Sequence, residues 1–370
     1  MLKILYVVST LKRTGPTNVL YNLISEIDRQ EFEPIILTLS EENPNFPSSW
    51  TAFEELNVKI FSFNFSRFRG FISGRKEIKK IIEQHNINVV HLYGFRGDFM
   101  LKREITKNVK IISTINSNIY DDYTMLYGKY TGRIMAYLHI KSLKGKIGVA
   151  CSNFVSEELK KRYNIDLKVI YNGIPYKEYT ATSKEEQINI REKLDLPLDQ
   201  KVFIFVGYLI YRKDPITVIN AFLDSRACKN STLLILGDGP LMEECKEKCD
   251  LEKGNIKFLG NQPSTVEYLK ASDFYISSAY SEGLPTSVME AMSCGLPVVL
   301  SNIRPHEELV SGLNWNYLFP INDYKKLSVI IDDIIEEDYV TLSNKCQSVI
   351  LNEINSNVMA INYQLLYKYD

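Results

Sequence analysis

Ser281-Glu282-Gly283-Leu284-Pro285-Thr286-Ser287-Val288-Met289-Glu290-Ala291-Met292-Ser293-Cys294-Gly295-Leu296-Pro297-Val298-Val299 is the stretch on which the reading of the fold turns. An apolar run at 274–277 precedes it, Pro285 and Thr286 open a helix, Gly295 closes it, and 298–301 is extended again. Pro at the first helical position and Gly just beyond the last match the asymmetry of helix ends. Strand, turn, helix and strand in close succession form the repeating unit of a parallel sheet. The unpaired N–H groups at such a helix start favour phosphate. Glu282 lies just before the helix and Glu290 about one turn inside it, so both can face a ligand docked there. Carboxylates repel a diphosphate, so their expected partners are sugar and ribose hydroxyls.

The same alternation extends in both directions. Strands are expected at 4–9, 35–39, 59–63, 89–92, 110–114, 147–150 and 168–171, with amphipathic helical stretches such as 18–27 and 77–85 among them. A polar, helix-prone segment at 180–200 intervenes, closed by Leu196-Pro197. Strands then resume at 202–206, 233–236, 256–259, 274–277 and 298–301. The pattern predicts an α/β chain of two doubly wound domains, 1–178 and 179–354, with a helix at about 355–370 packing back on the first. Such domains bind ligands at the carboxyl ends of their strands, which places the expected site in a cleft that both face.

Composition bounds the function. The 370 residues carry 44 Lys+Arg, 45 Asp+Glu and 4 His, with 45% apolar and 24% charged residues. That is ordinary for a globular protein and excludes disordered, collagen-like and disulfide-stapled classes. The charge is uneven: residues 1–180 hold 26 basic and 18 acidic side chains, net +8, and the remainder is net -9. A cationic half suits an anionic surface as partner, the alternative being unbiased drift. No apolar run is long enough to cross a bilayer, and 1–10 reads as a first strand rather than a signal peptide. Six cysteines without metal-ligand spacing point to a reducing, cytoplasmic setting. No metal is expected, and no Walker-type G-x-x-x-x-G-K-[ST] loop is present.

The segment 281–299 resembles the Glu-x7-Glu signature of retaining glycosyltransferases of family 4, which have the GT-B fold of two Rossmann-like domains. The resemblance spans essentially the whole chain. It continues through Phe205-Val206-Gly207-Tyr208-Leu209-Ile210-Tyr211-Arg212-Lys213-Asp214-Pro215, Leu236-Gly237-Asp238-Gly239-Pro240, Lys257-Phe258-Leu259-Gly260 and Ser301-Asn302-Ile303-Arg304-Pro305-His306-Glu307-Glu308. In the first half, Thr14-Gly15-Pro16-Thr17-Asn18 looks like the family's glycine loop and Val169-Ile170-Tyr171-Asn172-Gly173-Ile174 like its domain-end motif. By that resemblance Glu290 binds ribose hydroxyls, Glu282 binds hydroxyls of the transferred sugar, and Lys213 meets the diphosphate. Gly237, Gly283, Leu284, Pro285 and Thr286 line the donor, Gly15 lets backbone approach the phosphates, and Leu259 lies near the base or is simply a strand end.

Two positions depart from the family pattern. Tyr208 stands where an Arg is usual, and the neighbouring Arg212 is the candidate to replace its charge. Asn116 stands where a His is usual after the strand at 110–114. Asn can orient a hydroxyl but cannot exchange a proton near neutral pH. Same-face displacement, in which the leaving phosphate oxygen takes the acceptor's proton, tolerates that change. His91 is expected at the site or packed beside it, His85 in solvent, and His306 near the diphosphate or capping a helix.

The resemblance implies a retaining transferase moving a hexose or N-acetylhexosamine from a nucleotide-diphosphate sugar, expected to be a UDP-sugar. The acceptor is a glycan, expected to be lipid-linked, in bacterial O-antigen or capsule assembly. Arg67, Arg69, Arg75, Lys76, Lys79 and Lys80 alternate with Phe61, Phe63, Phe65, Phe68 and Phe71, and a second basic set comprises Lys129, Arg133, Lys141, Lys144 and Lys146. Basic residues mixed with aromatics suit an anionic membrane face, so peripheral docking on the cytoplasmic membrane through the first domain is expected. No recognition motif supports nucleic acid as a partner. The alternatives are a nucleotide-sugar 2-epimerase on the same fold and a catalytically weak paralogue that binds a nucleotide sugar.

Overall fold

The computed structural model describes residues 1–45, 47–63, 67–101, 109–249 and 255–369, without the side chains of 67–73. It divides into one unit of Met1–Gly173 with Ser356–Asp370 and a second of Ile174–Asn355. Residues 174–178, grouped with the first domain on sequence, therefore belong to the second. The parallel bridge Ile174↔Asn355 pairs the two ends of the second unit.

The first unit runs β1 (Leu2–Val8), α1 (Gly15–Glu26), β2 (Phe32–Thr38), α2 (Trp50–Glu55), β3 (Lys59–Ser62), α3 (Arg67–His85), β4 (Val89–Tyr93), α4 (Phe95–Met100), β5 (Lys110–Ile115), α5 (Ile119–Tyr127), α6 (Lys129–Ser142), β6 (Ile147–Ala150), α7 (Asn153–Tyr163) and β7 (Lys168–Val169). The second runs α8 (Lys184–Lys193), β8 (Lys201–Val206), α9 (Pro215–Asp224), β9 (Ser231–Leu236), α10 (Met242–Glu247), β10 (Ile256–Gly260), α11 (Val266–Ala271), β11 (Phe274–Ser277), α12 (Thr286–Ser293), β12 (Val298–Ser301), α13 (Arg304–Val310), β13 (Leu318–Phe319), α14 (Tyr324–Ile334) and α15 (Tyr339–Asn352). α16 (Ser356–Lys368) belongs to the first unit.

Both sheets are parallel, in the orders β3-β2-β1-β4-β5-β6-β7 and β10-β9-β8-β11-β12-β13. Each order reverses beside its first strand, at β1/β4 and at β8/β11, where the carboxyl ends leave a crevice for ligand. Helices cover both faces, so the central strands are buried along their length: all five residues of β4 and all six of β9 are buried. On β1 the pleat sends Ile4, Tyr6 and Val8 to one core, with Leu20 of α1 and Met359 of α16, and Leu5 and Val7 to the other, with Ile78 of α3. β13, only two residues long, carries no period to read. α3 begins ten residues before the helical stretch read from sequence, across Gly70 and Gly74, whose low helix propensity hid it.

α16 is fastened by a buried polar chain. His91 Nδ1 lies 2.9 Å from Tyr367 Oη and its Nε2 2.7 Å from Thr114 Oγ1, which is itself 2.8 Å from Tyr363 Oη. Lys110 Nζ donates to the carbonyls of Leu366 and Tyr369 at the end of the helix. Burial lowers the His91 imidazole to about 3 against the pull of Asp98, so it stays neutral and serves packing.

In the second unit, buried Arg191 on α8 donates to Ala271 O (2.8 Å), Gln200 O (3.0 Å) and Asp273 Oδ2 (2.7 Å), while Val202 N donates to the same oxygen at 2.7 Å. Removing one member leaves a buried charge uncompensated, which costs about 3–5 kcal/mol. Asp273→Ala is therefore expected to lower the urea midpoint of the second unit by that equivalent, read by denaturation. A loss no larger than that of an exposed carboxylate would contradict the role given to this pair.

Candidate functional site

In the second unit the site is built on two loops joined at the switch point. After β8, Gly207 and Tyr208 lead into a single 3-10 turn, Tyr211–Lys213, and Asp214, at φ 49°, caps α9 by accepting from Thr217 N at 3.3 Å. The loop after β11 is stitched to that turn. Ser278 Oγ donates to the carbonyls of Lys213 (3.1 Å) and Asp214 (2.6 Å), Tyr280 N donates to Arg212 O (2.9 Å), and the Tyr211 and Tyr280 rings stack at 4.9 Å.

Glu282, 8% exposed, is carried on this stitched loop. Lys213 Nζ lies 2.5 Å from its Oε1, and Arg212 Nη1 lies 2.9 Å from its Oε2 and 2.7 Å from Ser281 O. Oε1 is buried with the Lys213 ammonium as its close partner. Burial by itself would raise the carboxyl, but Lys213 and then Arg212 outweigh it and bring it down to about 2.

Glu290 has the opposite environment. Its Oε2 accepts from Thr265 Oγ1 at 3.3 Å, and that hydroxyl lies 3.0 Å from Tyr179 Oη. Burial, with the charge of Glu178 adding to it, pushes the Glu290 carboxyl up to about 7. Between the two glutamates, Gly283, Leu284 and Pro285 are buried, Thr286 begins α12, and Pro285 offers no side-chain cap to the first N–H groups of the helix.

Gly237, at φ 138°, lies against Gly207: a Cβ there would sit 2.0 Å from Gly207 O, so the ends of β8 and β9 touch backbone to backbone. Gly237 N donates to Gly260 O at 2.9 Å. The Leu259 carbonyl accepts from Gln262 Nε2 at 2.6 Å. Tyr208 is 57% exposed and is not part of the Glu282 cluster, whereas the adjacent Arg212 and Lys213 converge on one carboxylate. His306, on α13, is buried, bonds Ser301 O through Nδ1 at 2.9 Å, and is lowered by that burial to about 4, so it is neutral.

In the first unit a cavity of about 300 Å³ opens at the ends of β1, β4 and β5, with Ser9, Thr14, Thr114, Asn116, Tyr123 and His139 in its wall. Gly15 begins α1 beside it, behind Thr14, whose Oγ1 lies 3.0 Å from Thr17 Oγ1. Asn116 Oδ1 accepts from Asn172 Nδ2 at 3.2 Å, which aims the asparagine from the domain-end motif. Sequence reasoning missed a chain of side chains behind the wall. Tyr123 Oη is 2.9 Å from His139 Nδ1, His139 Nε2 is 3.0 Å from Asp98 Oδ2, and Asp98 also takes Ser113 Oγ (2.8 Å) and Lys146 Nζ (3.0 Å). Burial would raise the Asp98 carboxyl, but His139 and Lys146 overcome it and lower it. These residues come from α4, β5, α5, α6 and the turn before β6, so no local spacing announces them. Lys146, grouped on sequence with the membrane-facing cations, has a fully buried side chain.

Residues 13–178 match the family described as Glycosyltransferase Family 4, and 186–352 match Glycosyl transferases group 1. The chain belongs to glycosyltransferase family 4. Among relatives of this family-4 chain is the alpha-monoglucosyldiacylglycerol synthase of Streptococcus pneumoniae, 26% identical over 83% of this chain and 72% of its own length. Another is the O-antigen biosynthesis glycosyltransferase WclY of Escherichia coli, 24% identical over 99% of this chain and 98% of its own. The crystal structure of Anabaena HepE in complex with UDP superposes with a TM-score of 0.83 at 16% identity, covering 99% of this chain and all of that one, and places the fold in the GT-B class.

For this family-4 glycosyltransferase the depressed Glu282 carboxyl has a measurable consequence. A carboxyl ordinarily near 4.5 but held at about 2 contributes stability above pH 4.5 that is lost as pH falls toward 2, about 3 kcal/mol in all. Wild type is expected to exceed Glu282→Gln in stability at neutral pH, with the gap closing between pH 4.5 and 2 in thermal unfolding. A gap that stays constant with pH would show that Lys213 and Arg212 do not lower the carboxyl.

Proposed function

We propose that the protein is a retaining transferase that moves a hexose or N-acetylhexosamine from a UDP-sugar to a lipid-linked glycan during bacterial surface polysaccharide assembly. The observation that carries this reading is the pair of glutamates flanking the start of α12, Glu282 ion-paired with Lys213 and Arg212 just before the helix and Glu290 one turn inside it against Thr265. Glu282 is ionised at all physiological pH and fits the hydroxyls of the transferred sugar. Glu290 fits the ribose, whose hydroxyls donate to its ionised form. Lys213 and Arg212 leave Glu282 for the diphosphate as the donor enters, releasing that carboxylate for the sugar. In transfer the bond from the anomeric carbon to phosphate oxygen breaks, that to the acceptor oxygen forms on the same face, and the acceptor's proton passes to the leaving phosphate. No imidazole is needed for this route, which suits Asn116 as a group that orients a hydroxyl in its own cavity.

The UDP held by the Anabaena protein supports the base, the O-antigen relative supports the pathway, and the diacylglycerol in the Streptococcus pneumoniae name supports an acceptor carrying lipid. Two cations for the diphosphate make a divalent ion dispensable, so turnover is expected to survive EDTA.

A panel of nucleotide sugars tests the reading. The true donor at a hundred times its Kd stabilises the protein by about 2.7 kcal/mol in thermal unfolding. Glu290→Ala is expected to abolish that shift, and Lys213→Ala to lower kcat/KM by roughly 10²–10³, as loss of a charge-stabilising donor does. If no nucleotide sugar shifts stability, or the shift survives Glu290→Ala, the site assignment fails. An isomerised donor instead of a glycoside, or a product of inverted anomeric configuration by NMR, overturns the reaction class.

Glu290 also sets a pH dependence. Since its carboxyl titrates at about 7 and the ribose prefers the carboxylate, donor affinity is expected to be level above pH 7 and to weaken below it. Glu290→Gln is expected to bind weakly with a flat profile in calorimetry. An unchanged slope in that variant would assign the titration to another group.

A further inference from the structure

The α5–α6 hairpin buries one side and leaves the other uncovered. On the inner side Gly132 brings α6 against α5 so closely that a Cβ would lie 2.3 Å from Tyr123 O, and Ala136, His139 and Ile140 are buried. On the outer side Tyr130 (78% exposed), Ile134 (61%) and Tyr137 (57%) recur at helical spacing along α6, and Leu126 (70%) is exposed beside the turn that joins it to α5. Single exposed apolar residues need no explanation, but three recurring along one helix face, with a leucine exposed beside the helix's first turn, mark an interaction surface.

The chemistry of the strip selects its partner. Lys129, Arg133 and Lys141 flank it, and the fourteen residues of α6 include no carboxylate. Arg133 is fixed across the hairpin, its Nε donating to Tyr120 Oη at 2.8 Å, and Lys141 Nζ lies 6.0 Å from the Tyr137 ring. Two copies meeting through this face would bring like charges together, and Lys is depleted at protein interfaces. An amphipathic helix with tyrosines at the boundary and cations beside them instead fits an anionic lipid surface, each cation strengthening partitioning about fivefold.

We propose that the outer face of the α5–α6 hairpin docks on an anionic membrane. This inference rests on the lipid-linked acceptor of the preceding section and names the surface that would meet it. Tyr123 and His139, on the inner side of the same two helices, line the cavity of the first unit, so the hairpin joins the lipid-facing strip to that cavity. It also moves the membrane contact away from the segment that sequence favoured. Phe65 and the side chains of Arg67, Phe68, Arg69 and Phe71 lie outside the described residues, and on α3 Lys79 and Lys80 are paired with Glu83 and Glu77.

Flotation of the full chain with vesicles tests the proposal. Wild type is expected to float with equal parts phosphatidylcholine and phosphatidylglycerol and to remain behind with phosphatidylcholine alone. Tyr130→Ser/Ile134→Ser/Tyr137→Ser is expected to abolish flotation, and Lys129→Gln/Lys141→Gln to weaken it about 25-fold. Lys76→Gln/Lys79→Gln/Lys80→Gln is expected to float as wild type does. Absence of wild-type flotation overturns the proposal, as does undiminished flotation of the serine variant. So does a serine variant that only turns a dimer into a monomer in sedimentation, or single-stranded DNA captured through the same residues in place of vesicles. The nucleotide-sugar thermal shift, measured on the same proteins, separates the two readings. A retained shift without flotation removes the membrane surface alone, and flotation without any shift removes the donor assignment alone.

Discussion

A carboxylate taken out of water must be matched by positive charge or by donors, and Glu282 is the place where that demand shapes the second unit. Its two oxygens draw Lys213 and Arg212 from the turn after β8 onto the loop after β11. The Ser278, Tyr280 and Tyr211 contacts join the same two loops at the strand order's reversal. A single ionised group thus ties the turn after β8 to the loop that leads into α12 and gathers two cations beside it. For Glu290, eight positions on, burial outweighs the Thr265 hydrogen bond and the more distant charge of Lys213, and its carboxyl rises. The difference between the two glutamates is one of neighbours, not of residue type.

The first unit applies the same rule in its interior. Asp98 is buried without exposure and is matched by Lys146, His139 and Ser113. That arrangement fixes Tyr123 at the cavity wall and spends a lysine that composition would assign to the surface. It also holds α4, α6 and the turn before β6 together beneath the hairpin whose other side is apolar and uncovered. Lys146 is thereby withdrawn from the surface together with an equal negative charge, while Arg133 and Lys141 of the hairpin stand beside tyrosines.

Much of the fold was legible because a parallel sheet covered on both faces requires short, predominantly apolar strands, and these stand out between amphipathic helices. Strands at 147–150, 274–277 and 298–301 agree with the observed bounds to the residue. β13 and the start of α3 were not legible, the first for its length and the second for its glycines. In the candidate site, the positions of Glu282, Glu290, Lys213 and Gly237 beyond the strand ends of the second sheet were legible because each lies in a local motif. Tyr123, His139 and Asp98 could not, since their proximity arises from elements far apart along the chain.

By itself the sequence determined the two doubly wound domains, the family and the residues at the carboxyl ends of the second sheet, because strand period, helix ends and short motifs are local properties. Only the tertiary structure decided the protonation of the two glutamates, the burial of Lys146, the packing role of His91 and the exposure of the α5–α6 strip. Those depend on what surrounds a side chain, and desolvation and pairing are settled by neighbours that only the folded chain brings together.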